Sequence, residues 1–228
     1  MPITLDPSLP EPLYPLAWLI GSWQGSGALH RPGDPDAGER RVQQHLVCTA
    51  REDGTMGWRS TIHEIDAPAP LPPTSAFARA DAPPAAGTGE RTLLMREDGI
   101  WTVGDVLPGQ DVAAARAAKP GDPASFLSYG LRARFERRDR AGEHAAGEDS
   151  PRDDPAGPEW AGEVRGPRIQ LALGEPAADG SPEVTATRMF GYVGGNLMWL
   201  WEQRVPGAAS ETGETDMTPY ISVELHRA

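Results

Sequence analysis

Apolar residues in this chain recur in short runs with a period of two. The clearest is Leu127, Tyr129, Leu131, Ala133 and Phe135 against Ser128, Arg132, Arg134 and Glu136, a strand with one buried and one wet face. Comparable runs occupy residues 21–29, 41–50, 56–65, 91–96, 100–106, 127–136, 160–164, 168–173, 184–193, 197–204 and 218–227. Glu52-Asp53-Gly54, Glu97-Asp98-Gly99 and Gly194-Gly195-Asn196 read as hairpin turns between them, because such residues accept positive φ at little cost. No long helix emerges. Many short antiparallel strands in hairpin order predict an all-β fold, and an up-and-down antiparallel β-barrel of about ten strands is preferred to a sandwich because closure removes exposed edges.

Other segments break the pattern. Prolines 7, 10, 12 and 15 make residues 1–15 an extended arm, ahead of a single barrel domain over 16–228. Leu16-Ala17-Trp18-Leu19-Ile20 is too short for a free-standing helix and predicts a single turn plugging one barrel end. Insertions near 67–90, 108–123 and 139–158 interrupt the meander. The first and third are rich in Ala, Pro, Gly and acidic residues and are read as disordered loops; the second holds Ala113 to Ala118 and predicts a short helix near the barrel mouth.

Composition narrows the function classes. The hydrophobic fraction is 39%, and 26 Gly plus 24 Pro exceed a fifth of the 228 residues, which fits an ordered body with polar insertions. A net charge of −12 repels phosphate backbones and anionic membranes, so neither nucleic acid nor membrane is expected as a partner. The basic stretch from Arg132 to Arg140 reads as a solvated strand face. Cys48 is the only cysteine, which excludes an intrachain disulfide and a multi-cysteine metal site; its strand context makes it a buried small hydrophobe. Residues 1–7 have neither a basic nor an apolar leader pattern, and the protein is read as cytoplasmic. The histidines, His30, His45, His63, His144 and His226, show no metal-site spacing, so no metal site is assigned; His45 and His63 lie in strands and either face is open to them.

The most informative element is Gly21-Ser22-Trp23-Gln24-Gly25-Ser26-Gly27. By alternation Trp23 shares a face with Gly25 and Gly27. The glycines either ease a strand bend or let another group approach the backbone. The longer run Pro-Leu-Ala-Trp-Leu-Ile-Gly-Ser-Trp-Gln-Gly-Ser-Gly, from Pro15 to Gly27, resembles the amino-terminal signature of the nitrobindin family, with Gly21, Trp23, Gly25 and Gly27 as its fixed points. Val184 to Phe190, Gly194 to Leu197 and Asp216 to Pro219 resemble the same family near the C-terminus. The resemblance implies a ten-stranded barrel shaped like fatty-acid-binding proteins and lipocalins, carrying a ferric haem that isomerises peroxynitrite to nitrate.

In that family one histidine of the last strand, just after a Thr-Pro-like pair, holds the iron; here Tyr220 stands there. Tyrosinate can ligate ferric haem but needs a nearby cation or base to lower a phenol pKa of about 10. Alternation places Ile221, Val223 and Leu225 inward and Tyr220 outward, unless a bulge re-aims it. The expectation is therefore a chain that has lost haem and has no cofactor and no catalytic residue, binding a small apolar ligand instead. Two alternatives stay open: a haem peroxynitrite isomerase with an unusual axial ligand, and a fatty-acid carrier. For the carrier, Arg188 is the candidate polar group of the cavity, because it interrupts the apolar face of Val184, Ala186 and Phe190; inward, it would need an anion such as a ligand carboxylate or Glu202. A bulge turning it outward is equally open.

Overall fold

The computed structural model describes residues 8–31, 38–68, 87–119, 121–139, 155–176, 182–204 and 217–228. Ten antiparallel strands close into one barrel: β1 (Gly21–Leu29), β2 (Arg40–Ala50), β3 (Met56–Pro68), β4 (Arg91–Val106), β5 (Ser128–Asp139), β6 (Glu159–Arg165), β7 (Arg168–Pro176), β8 (Pro182–Val193), β9 (Asn196–Arg204) and β10 (Met217–Arg227). Each strand pairs with its sequence neighbours, and β10 returns to β1, so no strand edge is left unpaired. The period-two pattern survives as burial: Val42, Gln44, Leu46 and Cys48 of β2 are buried, while Gln43, His45 and Thr49 are exposed.

One predicted turn is not a turn. Glu97-Asp98-Gly99 lies inside β4, which runs unbroken from Arg91 to Val106 and merges two expected strands. Gly99 is absent from the glycines with positive φ. Its missing side chain instead makes room for the Phe135 ring, since a Cβ there would meet Phe135 Cδ1 at 2.7 Å. Gly194 and Gly195, at φ of 61° and 96°, do form the expected turn between β8 and β9.

The plug is also larger than its sequence suggested. A 3₁₀ helix over Glu11–Leu16 begins within the supposed extended arm, and Leu13, Leu16 and Leu19 are fully buried against the barrel interior. Prolines there do not prevent order, because Pro12 occupies the start of the helix, where a missing N–H costs nothing. The helix in the β4–β5 connection is α1 (Val112–Ala117), capped by Asp111, whose side chain accepts from the Ala114 N–H at 2.8 Å. It sits at the plugged end rather than at the mouth. The connections 69–86 and 140–154, which cover most of the other two predicted insertions, lie outside the described residues.

All seven tryptophans are at most 5% exposed; Trp58, Trp101, Trp160, Trp199 and Trp201 form with Phe135 and Phe190 a chain of stacked and edge-to-face rings through the barrel, while Trp18 and Trp23 meet Tyr192 at the plugged end. Each such pair contributes about 0.5–1.5 kcal/mol beyond area burial. The interior is thus a packed core, not a hollow container.

Candidate functional site

The Gly-Trp motif serves closure of the barrel. Gly25 and Gly27 pair with Leu225 and Val223 of β10, and a Cβ on Gly27 would fall 1.9 Å from the Ser222 carbonyl oxygen. The group that approaches the backbone is therefore the last strand itself. Trp23 is fully buried and donates to the Leu19 carbonyl at 2.8 Å. The Arg227 guanidinium lies 4.3 Å from its ring and donates to the carbonyls of Trp18 and Ile20 at 2.8 and 2.7 Å, so the two chain ends and the plug are tied together. Gly21, at φ 132° and against Arg227, starts the strand.

Arg188 points inward and is 2% exposed. Its partner is not Glu202 but Glu97 of β4, one of the residues read from the sequence as a hairpin turn. Arg188 Nη1 and Nη2 donate to the two Glu97 oxygens at 2.8 and 2.6 Å, and Trp58 Nε1 donates to the same carboxylate at 3.2 Å. The guanidinium carbon lies 4.1, 4.3 and 4.7 Å from the rings of Trp201, Phe135 and Trp160. Beside this pair, Trp199 donates to Gln44 and Gln44 to Ser60, both at 2.8 Å. A buried charge is tolerable only when paired in this way. Glu202 instead accepts from Thr187 on the outer face.

Above the ion pair, at the end opposite the plug, lies a cleft of about 510 Å³ lined by Phe135, Trp160, Leu173, Ala186 and Trp201, with Arg188 and Glu97 at its floor and Arg137 and Arg204 at its rim. This volume falls within the range of small-molecule and cofactor sites. Two donors that line it, Arg188 Nε and Trp201 Nε1, are buried without a hydrogen-bond partner among the described residues.

Tyr220 lies at this end, near the start of β10, next to but not among the residues that line the cleft, and a backbone irregularity re-aims it. The β10–β9 register shifts between Pro219 and Ile221, so Tyr220 is the extra residue of a bulge, and the outward placement expected from alternation does not hold. Its ring meets Trp201 edge-on at 5.1 Å, and Arg137 lies 4.9 Å from the same indole. Arg137 stays exposed, as expected of the basic stretch, while its guanidinium reaches the Trp201 ring; Arg132 and Arg134 are exposed and pair with Glu159.

None of the described histidines faces the interior. His30 pairs with Glu39 at 3.3 Å, His45 is exposed beside Ser22, His63 contacts Arg91 at 3.0 Å and His226 is exposed; His144 lies outside the described residues. Desolvation, then Arg91 and Arg96, hold the His63 pKa below its usual value. Cys48 is buried at the plugged end, where burial pushes its thiol pKa up and leaves it inert. No group of three or more metal-ligating side chains occurs among the described residues.

A family model described as "THAP4-like, heme-binding beta-barrel domain" matches residues 12–120. A ferric nitrobindin-like protein of Beutenbergia cavernae is 31% identical over 211 residues, covering 87% of this chain and 89% of that protein. The chain belongs to the nitrobindin family. Other nitrobindin relatives carry an activity in their name: peroxynitrite isomerases of Micrococcus luteus and Paenarthrobacter aurescens are 32% and 30% identical over 213 residues each, covering 89% and 92% of this chain. These findings correct the expectation that the chain has no cofactor. The family model is described as haem-binding, and loss of the group does not follow from one altered position. No helix among the described residues is long and apolar enough to cross a membrane.

Proposed function

We propose that this nitrobindin-family barrel binds ferric haem at the end opposite its plug and isomerises peroxynitrite there, with Tyr220 as the residue that would hold the iron. The observation that carries the reading is the bulge at Tyr220, which sets the phenol ring on Trp201 beside a cleft of suitable volume. The side chains present fit the group. Phe135, Trp160 and Trp201 would give the group an apolar wall, Arg137 and Arg204, the latter paired with Glu183, are the cations nearest its carboxylates, and Arg188 Nε and Trp201 Nε1, without a partner among the described residues, are donors at the floor. Arg137, on the same indole as Tyr220, supplies the neighbouring cation that a tyrosinate ligand requires.

Bound haem supplies the iron at which the family converts peroxynitrite to nitrate. The protein's part is to orient and shelter it: the aromatic walls exclude water on one side, and the Arg188–Glu97 pair holds the floor rigid. A fatty-acid carrier fits less well, because the interior is filled by rings and Arg188 is already neutralised by Glu97.

The test is a ferric haem titration followed by absorption. The expected result is a saturable one-to-one shift of the Soret band, and faster peroxynitrite decay to nitrate than with free haem. Tyr220→Phe should weaken binding at least as much as losing a supporting group of a metal site, about 10–100-fold, while Tyr220→His should retain it. A spectrum that only tracks free haem would overturn the proposal.

A further inference from the structure

The plugged end carries a second cleft that the haem reading leaves unused. It measures about 1100 Å³ and lies between the 3₁₀ plug and the β4–β5 connection. Five aromatic side chains line it, Tyr14, Trp18, Phe126, Tyr129 and Tyr192, with Trp18 and Tyr192 at 6.1 Å between ring centroids. Glu11 and Asp105 add two carboxylates, and no lysine, arginine or histidine is among the lining residues. The Trp18 ring is 5% exposed, yet its Nε1–H is buried without a hydrogen-bond partner among the described residues.

These features select a ligand by chemistry. Aromatic faces carry negative potential and attract cations, most strongly when several converge. The two carboxylates add to that attraction and repel anions. The unpaired indole N–H asks for an oxygen or nitrogen acceptor on the occupant. We propose that this cleft is a binding site for a small organic ammonium compound that bears apolar substituents and a hydroxyl or comparable acceptor. The site is opposite in charge preference to the cleft at the other end, and it does not depend on haem.

Choline and its neutral isostere 3,3-dimethylbutan-1-ol are the probes, titrated into the full chain while the indole N–H region of the proton–nitrogen NMR spectrum is recorded. Trp18→Phe assigns the Trp18 signal. Choline is expected to shift that signal saturably and to bind about tenfold more tightly than the isostere. Asp105→Asn, at an exposed position that leaves the fold intact, should weaken choline about fivefold, and Tyr14→Ala should weaken it as well. No saturable shift, equal affinity for the neutral isostere, or unchanged affinity in Asp105→Asn would each overturn the assignment.

Discussion

At one end of the barrel Leu13, Leu16 and Leu19 fill the opening, and Arg227 bolts the plug to Trp23 and the last strand. At the other end no described segment plays that part; the barrel instead stops at a polar floor, the Arg188–Glu97 pair, under a ring of aromatic side chains. The first end is stabilised mainly by apolar burial, which is non-directional and tolerant. The second depends on a buried ion pair, which is costly to desolvate and contributes little net stability compared with an apolar core of the same shape. A barrel seeking stability alone would fill both ends alike. The buried ion pair, with the partnerless donors Arg188 Nε and Trp201 Nε1 beside it among the described residues, therefore distinguishes the second end as the place of the haem site proposed above.

Three substitutions separate the two ends. Arg188→Met should have the largest effect, because it leaves Glu97 buried without its partner; thermal or urea unfolding should show a loss of about 3–5 kcal/mol, largely recovered when Glu97→Leu is added. A double variant no more stable than the single one would mean that the pair is not the floor's organising contact. Leu16→Ala should cost about 2–5 kcal/mol by leaving a cavity in the plug, yet leave ligand binding at the far end intact in protein that is still folded. The smallest effect is expected at Asp66, which holds the rim by accepting from the Thr88 N–H and hydroxyl at 2.9 and 2.7 Å and from Arg40. The Thr88 hydrogen bonds, then Arg40, lower its pKa below the usual carboxylate value. In the window between its folded and unfolded pKa values the unfolded chain binds more protons, so stability rises with pH there and is lost as pH falls through the folded value. Asp66→Asn should flatten that acid limb in a series of unfolding curves; an unchanged acid limb would remove Asp66 from the account.

Much of the barrel was legible along the chain, because strand alternation is local: burial in β2, in β5 from Leu131 to Phe135 and in β9 follows the period-two pattern, whereas Ser128, expected on the wet face of β5, is buried where the β4–β5 connection packs on it through Gln110. The misreadings came from features that only distant partners explain. Glu97-Asp98-Gly99 has turn chemistry, but Phe135 needs the space above Gly99, and Arg188, far along the chain, needs the carboxylate of Glu97. An inward arginine was itself a signal that a buried acid must exist, though not which one. The bulge at Tyr220 left no mark except Pro219, which cannot donate to a ladder. The plug was recognised from Leu16 onward, while its first turn was hidden behind prolines that suit a helix start as well as an extended arm.

The most direct test compares haem binding by the wild-type chain, Ala186→Trp, which fills the cleft from its wall, and Leu16→Ala, which loosens the opposite end, with folding of each verified by near-ultraviolet circular dichroism. The structure predicts a saturable Soret shift in the wild type and in Leu16→Ala and none in Ala186→Trp. Undiminished binding in Ala186→Trp, or loss of binding in folded Leu16→Ala, would contradict it.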